Sequence, residues 1–161
     1  MHQLATVAPA FVGIAHRIVW ATVATTTPHG RPATRVLHPI WDWDGTALVG
    51  WIATGPTSPK AGHLAAAPHV SLTYWDATQD TCTADCDVEW LSSPDERRAI
   101  WDRFVDAPPP LGYDPSLIPA WTSPDAPAFG VIQLTPTWLR VMPGTLPLSG
   151  EGEVMTWRRS V

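Results

Sequence analysis

The sequence predicts a mainly β (α+β) domain: a small antiparallel barrel of six to seven strands with short flanking helices. Three observations carry this. Segments rich in β-branched residues, with apolar and polar positions alternating, recur along the chain. Turn residues separate them, Pro28-His29-Gly30 and Asp44-Gly45 being the clearest. The helical patterns are few and short, so most strands are joined as neighbours rather than through long crossovers.

Taken in order, residues 2–15 set Leu4, Val7, Ala8 and Phe11 on one helical face, interrupted by Pro9. Arg17 to Thr27 reads as a strand, Pro28 to Pro32 as a turn, and Ala33 to Trp43 as a second strand. Asp44-Gly45 turns the chain into a third, Thr46 to Ala53. Ser58-Pro59 then starts a short helix that Pro68 stops near Ala67. His69 to Trp75 alternates again, with Val70, Leu72 and Tyr74 on one face. Ser93-Pro94-Asp95-Glu96 is a capping box opening a second helix that ends before Pro108-Pro109-Pro110. Residues 107–127 form a proline-rich loop carrying Tyr113, Trp121 and Asp125, and a loop of that length is usually functional. Ala128 to Met142 is a strand pair or one long bent strand, and Glu153 to Arg159 is the last strand.

The clearest strand is Thr81 to Trp90. Cys82, Ala84, Cys86, Val88 and Trp90 alternate with polar residues. Four positions along a strand span about 13 Å, beyond the roughly 4.4–6.8 Å between Cα atoms that a disulfide requires. The two cysteines are therefore free thiols on an inward face, and their spacing is not that of a metal site.

The 161 residues make one domain, 1–161, and a chain of this size buries about 70% of its unfolded surface without staples. Only 16% of residues are charged, against a usual ~25%, so part of the surface should be covered by a second subunit or a ligand. A net charge of −5 argues against a general nucleic-acid binder. No apolar run is long enough to span a membrane. Met1-His2-Gln3-Leu4 has no basic leader character, which points to the cytoplasm. Ten tryptophans outnumber the five Phe and Tyr residues, offering flat apolar surfaces for interfaces and planar ligands.

Two stretches carry chemistry. In Thr54-Gly55-Pro56-Thr57-Ser58-Pro59-Lys60 a strand ends and a helix begins. The helix N-terminus, the hydroxyls and Lys60 together suit a phosphate, although Ser58-Pro59 also serves as an ordinary helix start. In Gly30-Arg31-Pro32-Ala33-Thr34-Arg35 a turn feeds a strand bearing Arg35, whose planar fork pairs with phosphate or carbonyl oxygen, or is simply solvated.

The ordered set Gly30-x-Pro32-x-x-Arg35-Val36-Leu37, Thr54-x-x-x-Ser58-x-Lys60-Ala61 and Leu64-x-x-x-Pro68-x-Val70-Ser71-Leu72 resembles the pyridoxamine 5′-phosphate oxidase-like family of FMN-binding split β-barrels. The resemblance covers residues 17 to about 91 well. It implies a homodimer holding FMN in clefts between subunits. By position, Arg35, Ser58 and Lys60 would hold the phosphate. Val36, Leu37 and His38 would line the flavin ring through backbone groups, and Thr54 would reach the ring or ribityl chain. Thr81 would come from the partner chain, and Trp157 would stand near the flavin.

The departures are informative. Pro59 stands where the family often has arginine, Ile40 where the true oxidase has lysine, and Ser93 to Ala107 lacks its substrate-phosphate grip. The chain thus looks like the general stress protein branch: an FMN-dependent oxidoreductase of unknown substrate, not pyridoxamine phosphate. The resemblance also leaves open an F420-dependent reductase, a non-catalytic flavin carrier or a haem-binding barrel. Among the histidines, His38 is the candidate proton-handling side chain, while His63 and His69 read as surface residues.

Overall fold

A computed structural model describes residues 1–160. Its strands are β1 (Ala21–Thr26), β2 (Pro32–Leu37), β3 (Pro39–Trp43), β4 (Leu48–Thr54), β5 (His69–Trp75), β6 (Thr81–Trp90), β7 (Gly130–Met142) and β8 (Met155–Arg158). Helices α1 (Leu4–Ile18), α2 (Pro59–Ala66), α3 (Pro94–Asp106) and α4 (Thr145–Ser149) flank them, with a 3-10 turn at Pro115–Leu117. All pairings are antiparallel. The eight strands form one sheet in the order β2-β1-β5-β6-β7-β4-β3, with β8 added on β7. This is an open, split β-barrel. No helix among the described residues is long and apolar enough to cross a membrane.

The strand expected over Ala33 to Trp43 is two strands. Through Leu37 the chain pairs with β1, and from Pro39 it pairs with β4. Proline has no N–H to continue the first ladder. The two edge strands of the sheet are therefore consecutive in the chain, with only His38 between them.

The strand expected from Arg17 starts at Ala21 because α1 runs on to Ile18. Val7, Phe11 and Ala15 continue one buried stripe at helical spacing. Arg17 makes ion pairs with Asp76 and Asp80, fixing the last turn to the β5–β6 hairpin. Pro9 is tolerated because it and Ala5, whose carbonyl loses its helical donor, lie on the exposed side. Residues 130–142 form one strand with a bulge: Asp85 faces Trp138 while Cys86 faces Pro136. The bulge leaves Thr137 without a register partner on β6, beside a proline that cannot donate, and its hydroxyl donates to the Asp85 carbonyl at 3.1 Å. The short helix α4 and an eighth strand exceed the expected count.

Two cores support the sheet. One lies inside the barrel under α1, and it contains Cys82 and Cys86 as buried free thiols. Burial raises the pKa of both, which keeps them protonated. In the same core, Trp41 Nε1–H donates to Tyr74 Oη at 2.9 Å. Phe11 sets its edge against both rings, at 5.0 and 6.1 Å between centroids. The second core holds Ile40, Phe104, Trp121 and Phe129 under α3 and the proline-rich loop.

Trp41 lies across Gly50, its partner on β4. A Cβ there would stand 2.6 Å from Trp41 Cε3, and the ring is fully buried, so it has nowhere to move. Gly50→Ala is expected to lower stability by about 1–3 kcal/mol through overpacking. Chemical denaturation checks this, and an unchanged midpoint and slope would contradict it.

Candidate functional site

A cavity of about 460 Å³ opens where the two sheet edges meet. Val36 and Leu37 form one lip, Ala53 and Thr54 the other, and His38 sits between them. Trp20, just ahead of β1, and Pro110, Tyr113, Ile118 and Trp121 of the proline-rich loop complete the wall.

The loop is held in place from several sides. Tyr113 N–H donates to the Phe104 carbonyl at 2.9 Å. Trp121 sets its edge on Phe129 at 5.3 Å. Arg98 pairs with Asp125 at 2.6 Å. Gly112 passes so close to Ala107 that a Cβ would fall 1.8 Å from its carbonyl oxygen, which reserves the position for glycine.

His38 is caged by rings. Trp20, Tyr113 and Phe104 stand 5.1, 5.0 and 5.6 Å from it between centroids. Its Nε2 is buried and has no hydrogen-bond partner. Burial pushes its pKa below the ordinary histidine value, the Leu111 carbonyl partly opposes this, and His16 adds to it. The ring is therefore neutral near pH 7. Burial also pushes the Tyr113 phenol up to about 12.

The second half of the site lies one residue before Val36 and just beyond Thr54. Lys60 Nζ donates to Ser58 Oγ at 2.6 Å, and Ser58 Oγ donates to the Gly55 carbonyl at 2.8 Å. Ser58 takes the N-cap position of α2, yet its hydroxyl makes no cap hydrogen bond. Arg35 Nη1 donates to the Val23 carbonyl at 3.1 Å. Burial lowers the pKa of both cations, and Arg35 lowers that of Lys60 further. Among the described residues, neither meets a carboxylate within ion-pair distance. Two neighbouring, partly buried positive charges without a counter-charge suit an anion.

Helix α2, which brings Ser58 and Lys60 here, is fastened from below. His63 Nδ1 meets the buried Thr25 hydroxyl at 2.9 Å, and Leu64 is buried beside it. His63 is thus an internal tie rather than the surface residue expected. His69 is exposed and pairs with Asp87 at 3.1 Å.

Arg35, Ser58 and Lys60 come together in this way, and Val36, Leu37, His38 and Thr54 come together at the cavity. Thr81 and Trp157 lie elsewhere on the chain. Thr81 opens β6 opposite Trp75 and Met142, and its Oγ1 is buried without a partner. Trp157 pairs opposite Leu139 and packs on the first core. Trp20 was not legible as a wall residue, because it sits in a stretch that reads as continuous strand. Tyr113 and Trp121 carried the one usable signal, two aromatics in a long proline-rich loop.

A larger cleft of about 900 Å³ lies between α1, β3 and α3. Its arginine and histidine are engaged, while Asp102 and Asp106 at its wall meet no cation within ion-pair distance among the described residues. Arg103 pairs with Asp42 at 2.7 Å and lies 5.0 Å over Trp51, and His16 Nε2 accepts the Trp41 N–H at 3.0 Å. His38, which lines the smaller cavity, has a buried ring nitrogen without a partner, and the cradle beside it holds two cations that meet no carboxylate among the described residues.

The sheet face outside β2, β1, β5 and β6 is also open. Val36, Thr22, Thr73 and Thr83 form one uncharged row across four strands, and Val36 is 62% exposed, Trp75 58%.

The sequence model of the family described as pyridoxamine 5′-phosphate oxidase matches residues 8–143. No curated protein matches the chain. Among solved structures, a Clostridium acetobutylicum protein related to general stress protein 26 of B. subtilis superposes with a TM-score of 0.67 at 14% identity, covering 91% of this chain and 89% of that one. A pyridoxamine 5′-phosphate oxidase-related, FMN-binding protein from Nostoc punctiforme superposes at 0.66 and 17% identity over 100% and 99%. An F420 reductase gives 0.58 at 19% identity over 80% and 94%. At these identities the likeness is one of fold.

Because Lys60 faces Arg35 and no carboxylate, it is not holding the fold together electrostatically. Lys60→Met is expected to leave the thermal midpoint unchanged or slightly raised. A clear loss of stability would make Lys60 a structural residue.

Proposed function

The chain belongs to the pyridoxamine 5′-phosphate oxidase family, and from that premise we propose that it is an FMN-dependent oxidoreductase acting on a small molecule other than pyridoxamine phosphate. The observation that carries this reading is the unpaired Arg35–Lys60 pair with Ser58, joined through Val36 and Thr54 to an aromatic-walled cavity. A phosphate and a flat ring system ask for that combination.

In this reading Arg35, Ser58 and Lys60 hold the phosphate by charge-assisted hydrogen bonds. The Val36–His38 backbone lines the flavin ring, and Thr54 reaches the ring or ribityl chain. Bound there, FMN supplies hydride transfer, while the protein supplies binding, orientation and exclusion of water. The proline-rich loop shields the cavity, and His38 is the candidate for holding or moving a proton. Pyridoxamine phosphate is disfavoured because Ile40 is buried in the second core. In addition, Arg98 and Arg103 of α3 are already engaged by Asp125 and Asp42.

The working unit is a cytoplasmic homodimer, its subunits joined through the outer sheet face around the Val36, Thr22, Thr73 and Thr83 row. Thr81 would then act from a second copy, and Trp157 would stand near the flavin. The F420 reductase of similar fold, together with Pro59 in place of an arginine, favours F420 as the second reading.

Visible spectra of the purified protein, alone and titrated with FMN and with F420, separate these readings. Lys60→Ala is expected to weaken FMN binding by about 1.5–3 kcal/mol, the worth of a hydrogen bond to a charged group, and Arg35→Ala by a similar amount. Unchanged affinity in both variants would remove the phosphate assignment. Light scattering is expected to give twice the 17.5 kDa chain mass, and a monomer that still binds FMN fully would remove the interface.

A further inference from the structure

The last turn of α1 is fastened at two adjacent residues. Arg17 makes ion pairs with Asp76 and Asp80. His16 Nε2 accepts the Trp41 N–H at 3.0 Å, at the outer edge of β3. That role fixes the tautomer, because a ring accepting at Nε2 carries its one proton on Nδ1 and is neutral. A second proton would set N–H against N–H, so the bond and the charged ring exclude each other.

Just beyond this fastening the backbone is strained. Val19 has φ 73° and ψ −57°, and the Trp20 N–H donates to the Ile18 carbonyl at 2.9 Å. Those are the marks of the rare γ-turn centred on a positive φ, and a β-branched residue is its least comfortable occupant. The Val19 side chain is buried and its N–H donates to the Ala15 carbonyl at 2.8 Å, so the end of α1 and its packing hold the turn. The turn delivers Trp20, 59% exposed, to the rim of the cavity, 5.1 Å from His38 between centroids. Strain of this kind persists only where the surroundings enforce it, and it gathers at segments that switch.

We propose that His16 is a pH-sensitive latch: its bond to Trp41 holds the strained turn and keeps Trp20 on the cavity rim, and a proton taken from solvent at Nε2 releases both. The groups that face the ring are few. Arg103 of α3 and Asp42 of β3 pair with each other at 2.7 Å, Asp102 and Asp106 of α3 line the same cleft, and His38 is near enough to feel the charge of His16. Burial pushes the His16 pKa below the ordinary histidine value, Arg103 adds to this and Asp42 opposes it. The folded chain thus takes up this proton less readily than the unfolded one. The contribution of the latch is complete above the ordinary value and is lost as pH falls through the lowered one. The inference concerns regulation of the proposed flavin site and rests on that reading for its effect on FMN. The latch itself stands on the α1–β3 geometry.

The full-length purified protein is titrated from about pH 7.5 to about pH 5, the span over which histidine changes charge. The His16 ring, the Trp41 amide and the Trp20 indole N–H are followed by ¹⁵N NMR, with Trp20→Phe identifying the indole signal. As His16 protonates, the Trp41 amide is expected to lose at least tenfold in protection from hydrogen exchange, and the Trp20 indole to gain motion. His16→Gln supplies an acceptor that does not titrate and is expected to hold both signals constant. A glutamine that misses the amide shows both losses already at the higher pH, as an open latch should. FMN affinity of the unmodified protein, relative to His16→Gln at the same pH, is expected to fall at least threefold across the range. That comparison cancels the titration of the phosphate and of the other histidines.

Trp41 protection or Trp20 motion that ignores the His16 titration would overturn the latch, as would the same pH response in His16→Gln. The latch signals without FMN binding at either pH would keep this inference and defeat the cofactor reading. FMN binding with no relative fall would keep the cofactor reading and overturn the link between latch and cavity.

Discussion

Pro39 has no backbone N–H to donate, and much of the architecture depends on where that proline falls. The chain leaves β2 at Leu37 and enters β3 at Pro39, exchanging one edge of the sheet for the other across a single residue. The two edges diverge from His38 instead of pairing, so the barrel stays open there. The cavity occupies that opening, with β2 on one side, β4 on the other and His38 at the join. A continuous strand from Ala33 to Trp43 would have placed Val36 and Thr54 in a different relation and left no gap to line.

An open barrel exposes edge amides, and this fold covers one of its two edges. His16 accepts the Trp41 N–H, while α1 and α3 flank β3 on both sides. The Trp41–Tyr74 hydrogen bond and the Phe11 edge contacts then lock β3 to β5 through the interior. Fixing β3 fixes Pro39 and so the position of His38. On the other side, His63 and Leu64 hold α2 against β1, and this sets Lys60 beside Arg35. Arg35 and Lys60 of the proposed cradle hydrogen-bond within the chain but meet no carboxylate among the described residues. The arginines that serve structure, Arg17 and Arg103 among them, meet carboxylates.

Much of this was legible in the sequence where a local rule acts alone. Alternation defined β5 and β6 to the residue, the Ser93 box started α3, and Asp44-Gly45 placed the β3–β4 hairpin. Arg35, Ser58 and Lys60 could be picked out because Ser58 and Lys60 sit at a helix start that turn residues mark and Arg35 lies on the strand that the Gly30-Arg31-Pro32 turn feeds. What failed was tertiary. Nothing local says that Pro39 exchanges partners, since a proline inside an apolar run also suits an edge strand. Arg17 was read with the strand because its ion pairs to Asp76 and Asp80 are distant in sequence. Trp20 could not be placed without the loop that closes over it, nor His63 without the Thr25 it meets. The tryptophan excess announced flat contacts without saying which rings face the cavity and which, like Trp41, face the core.

The proposed site has two unlike halves: a charged cradle suited to phosphate and an uncharged cavity suited to a ring. Comparing FMN with riboflavin separates them, since the two share the ring and differ in the phosphate. The most direct measurement is an absorbance titration of the purified protein with each. FMN is expected to bind at least a hundredfold more tightly than riboflavin at low salt, with the gap narrowing as ionic strength rises. Equal affinities would show that the Arg35–Lys60 pair holds no phosphate and would contradict the assignment of the site.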